Sequence, residues 1–291
     1  GAADSLQTLF ENDDYFTDAD SNASDLVTFL GNHDMGRFGY FLNLDNNSSL
    51  SDADLLARDK LAHALLYFAR GVPVVYYGDE QGFTGDGGDK DARQDMMPSQ
   101  VASYNDDKLI GTTATTANDN FDPTHPLYQT FTQYATLRAA HKALRTGAQI
   151  QRVSSSTPGI YAFSRIDRDE KIEYIVALNN SGAAAAANVP TFYGAGELFE
   201  PLYSEGSNVS TTLTTDANGA LSVTVPAQGF VLYKASSAVA PSTAAPAISL
   251  PDLSDDQQVT LTKQTLDGNT VPDRLEIKAN VTGNQYVEVT F

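Results

Sequence analysis

Apolar residues in the first half of the chain form two short runs with a long helical pattern between them. Residues 26–30 are one apolar run, and residues 72–77 are nearly all apolar, as in a strand that is buried on both faces. Between these runs, leucines and alanines recur every three or four residues over 52–70, which predicts a helix. Within residues 4–16, Leu6, Leu9 and Phe10 recur at helical spacing and are followed by an acidic loop. The order strand, helix, strand predicts two neighbouring parallel strands joined by a crossover helix.

The period of the pattern changes in the second half of the chain. One more helix is predicted over residues 127–144, before Gly147. After Gly147, apolar residues alternate with polar ones in short runs separated by turn residues, at 160–166, 171–178, 220–225 and 230–233. Several strands in sequence without helices between them predict an antiparallel β-sandwich.

The last part of the chain differs in composition. Residues 237–252 are rich in Ala, Ser and Pro and are predicted to be a linker. Strand-like runs at 258–261, 275–279 and 286–291 are too few to close a sheet. We therefore predict four segments, namely a first domain over 1–149, a sandwich domain over 150–236, the linker over 237–252, and the start of a further β-module or an appendage over 253–291.

Polar residues follow both predicted parallel strands. Asn32, His33 and Asp34 come directly after the first apolar run, and Asp79 and Glu80 come after the second. Parallel strands end at the same edge of a sheet, so these side chains should lie close together. The pattern is typical of a parallel α/β barrel, whose active site is built at the C-terminal ends of the strands.

These residues resemble a known family. The motif Phe29-x-x-Asn32-His33-Asp34, followed by Gly71-x-Pro73-x-x-Tyr76-Tyr77-Gly78-x-Glu80, is similar to the last two barrel strands of the α-amylase family, glycoside hydrolase family 13. The resemblance continues through residue 147 as the closing helix of the barrel, and more loosely to about residue 235 as the β-domain that follows it. It implies an α/β fold, with the C-terminal portion of a (β/α)8 TIM barrel followed by an antiparallel β-sandwich domain and the start of a further β-module.

The predicted elements account for only part of such a barrel. Only about two of the eight strand–helix units fit before residue 150, so we expect a fragment of a longer protein, or a barrel whose remainder is supplied elsewhere. Retaining glycosidases need a nucleophilic carboxylate and a protonated acid roughly 5–5.5 Å apart. In the family, these groups end the fourth and fifth strands, and no such strand is found here. Glu197 lies in the later β-region and Asp59 lies within a predicted helix, so neither can replace them.

The resemblance implies roles for the site residues that are present. Asp34 would stabilise the transition state, while His33 and Asn32 would bind substrate hydroxyls. Asp89 and Arg93, four apart after a glycine-rich turn, would hold the sugar on the non-reducing side. Arginine suits this role because its fork can bind neighbouring hydroxyls while it pairs with a carboxylate. The alternative for this pair is a surface ion pair of little consequence.

Two further residues are predicted to support the site. Arg37 and Glu80 are expected to form a buried ion pair beneath it that steadies Asp34. The acidic stretch 86–91 lacks the ligand spacing of a calcium loop, so we interpret it as solvated turn carboxylates and predict no metal site. No cofactor is identified from this chain, and calcium binding by the full-length enzyme, through residues outside the chain, stays open. His63 is interpreted as a packing or surface residue of its helix.

Composition narrows the classes of partner. The chain has 37 acidic and 18 basic residues, a formal net charge of −19, which argues against nucleic acid and against an anionic membrane surface. A neutral glucan is indifferent to this charge. The chain has no cysteine, and no apolar stretch approaches the ~20 residues of a membrane span. No signal peptide is visible, and an extracellular or periplasmic location is implied by the resemblance alone.

The sequence therefore predicts part of a retaining glycoside hydrolase that acts on α-1,4-linked glucan. This chain would carry binding and stabilising groups but neither the nucleophile nor the general acid. Its partners would be the α-glucan substrate and the remainder of the catalytic barrel. One alternative is an α-glucan transglycosylase or α-glucosidase of the same family. Another is a catalytically silent, amylase-like subunit that binds glucan, which the residues at the fourth and fifth strand ends would distinguish from an enzyme.

Overall fold

The computed structural model describes residues 1–11, 23–205, 211–241 and 247–251, with short stretches at 254, 258, 263–266, 269–272 and 280–282. The chain divides into two compact units, Gly1–Val239 and Ala240–Phe291. The helices of the first unit are α1 Asp4–Glu11, α2 Phe38–Leu44, α3 Asp52–Phe68, α4 Ala102–Asn105, α5 Pro126–Ala140 and α6 Ala143–Thr146. Its strands are β1 Val27–Thr28, β2 Val72–Pro73, β3 Ala148–Ser154, β4 Ile160–Ile166, β5 Glu173–Asn179, β6 Ala185–Pro190, β7 Leu198–Ser204, β8 Leu213–Thr214, β9 Ala220–Val225 and β10 Gly229–Ala235.

The predicted parallel pair is present but short. Strands β1 and β2 run parallel, with Val27 opposite Val72 and Thr28 opposite Pro73. Both are shorter than predicted because, among the described residues, each has only the other as a hydrogen-bonding neighbour. The predicted burial of the second strand on both faces is wrong. Val27 and Val72 are 60% and 47% exposed, and Val74 is exposed beside them, so one face of the pair is open to solvent.

Helix α3 crosses between these strands, as predicted. It begins with a capping box, in which the Ser51 side chain accepts a hydrogen bond from the Asp54 amide and the Asp54 carboxylate accepts one from the Ser51 amide. The helix ends at Phe68, two residues before its predicted end. The helix predicted over 127–144 is two helices, α5 and α6, because His141 leaves the helical conformation, with φ −120° and ψ 111°.

The strands after Gly147 form two antiparallel sheets. The larger sheet has the order β3-β4-β5-β10-β7-β8, and the smaller one pairs β6 with β9. The strands predicted at 160–166, 171–178, 220–225 and 230–233 correspond to β4, β5, β9 and β10. The sequence pattern missed β3, β6, β7 and β8. Strands β3 and β6 are rich in polar residues or alanine, β7 is interrupted by Pro201, and β8 has only two residues.

The central strands of the larger sheet are buried on both faces. Every residue of β4 and β5 is buried, so these strands alternate between two cores instead of between core and solvent. One face contacts the helices, where the ring of Tyr134 lies 5.4 Å from those of Phe68 and Phe230, measured between centroids. The other face packs against β6 and β9. The buried residues of that second core include Ile160, Ala162, Ile175, Ala177, Val189, Leu221, Val223, Val225, Val231 and Tyr233.

One arginine joins the helical layer to the larger sheet. Arg165 of β4 is fully buried and donates to the backbone oxygens of Phe68, 2.7 Å away, and Gly147, 2.9 Å away. A cation is favourable at the C-terminal end of a helix, where backbone carbonyls lack partners. Burial lowers the pKa of Arg165 to about 9, and the nearby Arg138 and Arg70 contribute to the same shift.

The second unit contains four short strands in its described part. Strand β11 (Ala247–Ser249) pairs antiparallel with β14 (Asn280–Thr282), and β12 (Lys263–Leu266) pairs antiparallel with β13 (Asn269–Pro272). Apart from Gln258, the runs predicted as strands at 258–261, 275–279 and 286–291 lie outside the described residues. The four predicted segments, with their boundaries at 149, 236 and 252, stay a prediction.

Candidate active site

The loop after β1 presents Asn32, His33 and Asp34. The Asn32 side-chain oxygen accepts a hydrogen bond from the Asp34 amide at 2.8 Å, which shapes the turn. His33 Nε2 lies 3.2 Å from Asp34 Oδ2, and both side chains are exposed. The strand end therefore offers a carboxylate and an imidazole to a ligand from solvent.

Arg93 connects this turn with the glycine-rich loop that follows β2. Its Nε donates to the backbone oxygen of His33 at 3.0 Å. Its Nη2 donates to Asp89 Oδ2 at 3.2 Å and lies 3.7 Å from Asp34 Oδ1. The structure thus brings together five of the predicted site residues, with one guanidinium between two carboxylates.

Two glycines allow these loops to approach. A Cβ atom at Gly36 would lie 2.6 Å from the backbone oxygen of Gly87, closer than real Cβ contacts allow. Gly87 has φ +89°, a conformation that side chains disfavour, and a Cβ there would meet the ring of Tyr40. The close contact between residues 36 and 87 keeps Asp89 near Asp34.

The predicted ion pair between Arg37 and Glu80 is wrong. Arg37 Nη1 donates to Asp79 Oδ1 at 2.9 Å and to the backbone oxygen of Tyr77 at 2.7 Å, and both charged side chains are buried. Glu80 instead accepts a hydrogen bond from the Gly78 amide at 2.8 Å. The left-handed Gly78 and the 3₁₀ turn Asp79–Gln81 direct Asp79, not Glu80, towards Arg37.

A buried pair on α3 was not predicted as part of the site region. His63 Nδ1 lies 2.7 Å from Asp59 Oδ1 and 3.0 Å from the Asp59 backbone oxygen, and both side chains are at most 5% exposed. A sequence signal exists, because Asp59 and His63 are one helical turn apart among apolar residues. The pattern alone favours packing, since a single histidine among the apolar residues of a helix is more often part of a core than of a functional site.

The loop after Arg93 carries an acidic group of its own. Burial raises the pKa of Asp107 to about 7, and Asp86, Asp106 and Asp91 contribute to the same shift. The buried Gln94 side chain donates to Asp107 Oδ2 at 2.8 Å. Within the described ranges, no group of three or more His, Cys, Asp or Glu side chains is arranged to hold a metal ion.

Known proteins share much of this sequence. The family model for the α-amylase catalytic domain matches residues 4–147. The alpha-amylase of Streptomyces lividans is 46% identical over 250 residues, which cover 86% of this chain and 27% of that protein. The chain belongs to the α-amylase family. It therefore spans only about a quarter of the length of that curated relative.

Two further similarities accompany this assignment to the α-amylase family. The cyclomaltodextrin glucanotransferase of Bacillus sp. (strain 1-1) is 29% identical over 198 residues, which cover 68% of this chain and 22% of that protein. The crystal structure of the Geobacillus thermoleovorans alpha-amylase, complexed with acarbose, superposes with a TM-score of 0.58 at 22% identity. The match covers 79% of this chain and 42% of that one, and it shows an α-amylase-like fold of mixed helices and sheets.

Proposed function

We propose that this chain supplies the substrate-binding part of a retaining glycoside hydrolase that acts on α-1,4-linked glucan. The observation that carries the proposal is the convergence of Asp34, His33, Asp89 and Arg93 at one strand end. In this proposal, residues 1–149 are the C-terminal part of a (β/α)8 barrel and residues 150–236 are the β-sandwich domain that follows it. The parallel β1–α3–β2 unit and the two antiparallel sheets support that division.

Each site residue has a role that its chemistry fits. Asp34 stabilises the positive charge of an oxocarbenium-like transition state, while His33 and Asn32 bind sugar hydroxyls. Arg93 is held by Asp89 and binds hydroxyls of the next sugar on the non-reducing side. Arg37 supports the site from below through Tyr77, and Glu80 fixes the turn at Gly78.

The nucleophile and the general acid would come from outside this chain. Asp59 is buried against His63 and cannot reach a substrate at the end of β1. Glu197 directly precedes β7 and accepts hydrogen bonds from the backbone amide and the hydroxyl of Ser237. The remainder of the barrel is therefore a required partner.

A transglycosylase is the second candidate. It is favoured by the similarity to the cyclomaltodextrin glucanotransferase over 68% of the chain. Hydrolases and transglycosylases share the covalent intermediate and differ in whether water or a sugar hydroxyl attacks it. Chromatography of the products from maltooligosaccharides separates the two, because only a transglycosylase yields longer or cyclic products.

The location and the remaining partners follow from the same proposal. An enzyme of this class that degrades polymeric glucan would act in an extracellular or periplasmic compartment. None of the helices described in the structure has the length and hydropathy to cross a membrane. A net charge of −19 disfavours nucleic acid and anionic membranes without affecting a neutral glucan.

The proposal is tested by Asp34→Asn in the full-length protein. Removing this charge should lower turnover of soluble starch by on the order of 10²–10⁴-fold, which corresponds to roughly 3–5 kcal/mol of transition-state stabilisation. The matched control is Asp45→Asn, the same change at an exposed carboxylate next to the C-terminal end of α2. Turnover by Asp34→Asn close to that of the control would contradict the proposed role of this residue.

A further inference from the structure

The Asp59–His63 pair lies close to the Arg37–Asp79 pair beneath the candidate site. The imidazole of His63 contacts Phe131 of α5, with 4.2 Å between ring centroids, and meets the ring of Phe38 edge-on at 6.2 Å. Its Nε2 is buried without a hydrogen-bond partner among the described residues. A buried polar nitrogen of this kind is costly, so packing alone does not explain a histidine here.

The Arg37–Asp79 pair is equally enclosed. The guanidinium of Arg37 lies over the rings of Tyr76 and Phe83, 4.7 and 5.0 Å from their centroids. Its Nε and Nη2 have no hydrogen-bond partner in the described part of the chain, while Nη1 donates to Asp79 and to the Tyr77 backbone oxygen. A buried guanidinium with so few acceptors depends strongly on the negative charge of Asp79.

The four side chains form one electrostatic cluster. Burial lowers the pKa of His63, but the contact with Asp59 and the charge of Asp79 raise it, and the net shift is upward. Burial raises the pKa of Asp79 to about 6, against the opposing effects of Arg37 and His63. With His63 protonated, two cations balance two carboxylates. With His63 neutral, two buried carboxylates share one guanidinium.

The cluster joins the two segments that carry the candidate site. Arg37 is three residues after Asp34, and its bond to the Tyr77 oxygen holds the loop after β1 to the end of the segment after β2. That second segment leads into the loop with Asp89 and Arg93. We propose that His63 is a positioning residue, whose charge, held by Asp59, balances the two buried carboxylates around Arg37 and so fixes these two segments relative to each other. The inference rests on the proposed function of the site.

Other titratable groups near the cluster do not replace His63. From the α5 region, His125 and Tyr134 interact electrostatically with Asp59. Burial lowers the pKa of His125 and raises that of Tyr134 well above 10, so both are uncharged near neutral pH. Tyr77, beside Arg37, has its pKa raised by burial to about 12 and is also uncharged.

The proposal fixes the sign of a pH dependence. Asp79 is ionised above about pH 6, because burial raises its pKa to about that value. His63 is charged below its folded-state pKa and loses its charge as pH rises through it. The cluster is thus fully charged between about pH 6 and the pKa of His63. Substrate affinity should fall as the pH rises above the pKa of His63.

The test compares His63→Gln, Asp79→Asn and the double variant in the full-length protein. In the pH interval where the cluster is fully charged, His63→Gln should lower kcat/KM for a maltooligosaccharide by roughly tenfold, mostly through KM, and it should remove the alkaline fall of the pH profile. In the Asp79→Asn variant there is no carboxylate charge at residue 79 to balance. His63→Gln should therefore lower kcat/KM much less in that variant than in the unmodified protein. The control is His141→Gln, at a histidine whose Nδ1 lies 3.1 Å from Tyr174 Oη, on the larger sheet.

A second measurement does not depend on activity or on variants of His63. In an NMR titration, the pKa of His63 should lie above that of His141 in the unmodified protein, and Asp79→Asn should lower it. Asp107 titrates in the same range, but it faces Asp86, Asp91 and Asp106, so its contribution is equal in all variants.

Each outcome decides a different claim. An unmodified protein that does not act on α-glucan contradicts the proposed function, whatever the titration shows. If the protein is active but the His63→Gln variant keeps the alkaline fall, His63 is only a packing residue and the proposal is wrong. The same conclusion follows if the effects of His63→Gln and Asp79→Asn on kcat/KM are additive. A His63 pKa that Asp79→Asn leaves unchanged overturns the coupling itself.

Discussion

Arg93 shows how single side chains set the geometry of the candidate site. It contacts the backbone of His33 and two carboxylates on different loops. Exposed ion pairs contribute only about 0–1 kcal/mol to stability, so these contacts add little to the folded state. Their effect is orientation, because a planar guanidinium held at both edges presents its remaining N–H groups in a fixed direction.

If Asp89 and Arg93 bind one sugar together, their losses should not add. We expect Asp89→Ala and Arg93→Ala each to weaken maltooligosaccharide binding by the full-length protein by roughly tenfold, and the double variant to be little worse than either. Calorimetric titration measures all three. The control is the exposed ion pair of Lys108 with Asp52, whose alanine variants should bind normally. Unchanged affinity in both single variants would mean that the Asp89–Arg93 pair is only structural.

At the scale of elements, the site depends on the approach of two loops. Their contacts with each other are not part of a helix or a sheet. The loop after β1 touches the glycine-rich loop at residues 36 and 87, and Arg93 and Arg37 tie them on either side. None of these three contacts is visible in a hydrophobic pattern, since loops lack the periodicity from which helices and strands are predicted. Only the order of the strands and the family motif predict that these loops meet.

A methyl group at residue 36 should separate these loops. Gly36→Ala would place its Cβ against the backbone of residue 87, and overpacking of this kind costs about 1–3 kcal/mol. We expect kcat/KM of the full-length protein to fall roughly tenfold, with a small loss of thermal stability. Gly182→Ala is the matched control, because a Cβ there meets no described atom within 4 Å. Equal activity of the two variants would show that the contact is not needed.

The sequence predicts the elements better than their surroundings. The 52–70 pattern corresponds to α3, and four alternating runs correspond to strands, because periodicity reports which residues share a face. It does not report what covers each face. Hence β2 is expected to be buried on both sides and is open on one, while β4 and β5 are expected to alternate and are buried throughout. The Arg37–Glu80 error has a similar origin, since one residue of turn geometry decides which acid meets Arg37.

At the scale of the whole molecule, the open face of the β1–β2 pair is the main departure from a finished fold. Val27, Phe29, Val72 and Val74 expose apolar surface there. In a closed barrel, strand faces of this kind point into the barrel and pack in layers. The exposed face therefore agrees with the proposal that other parts of a longer protein complete the barrel.

The isolated 291-residue chain should consequently not hydrolyse starch. Retaining cleavage needs a nucleophile and an acid, and we find neither placed at the candidate site among the described residues. The open strand edges and the apolar face should also promote association, which light scattering would detect. The full-length protein, assayed for reducing sugar at equal concentration, is the control. Sustained release by the isolated chain would mean that the catalytic residues have been misassigned.

The doubly buried larger sheet has a consequence for how the first unit comes apart. Strands β4, β5 and β10 form a wall of both cores, and Arg165 ties the same sheet to the end of α3. The helices cover one face of these strands and the β6–β9 sheet covers the other. If either layer unfolded alone, apolar side chains on the face that it covers would be exposed to solvent. The helices and the sheets should therefore lose structure in one cooperative transition. If the chain were cut near residue 147, neither piece should fold alone. The change from a helical to a strand pattern at that point is therefore not a boundary between independently stable parts.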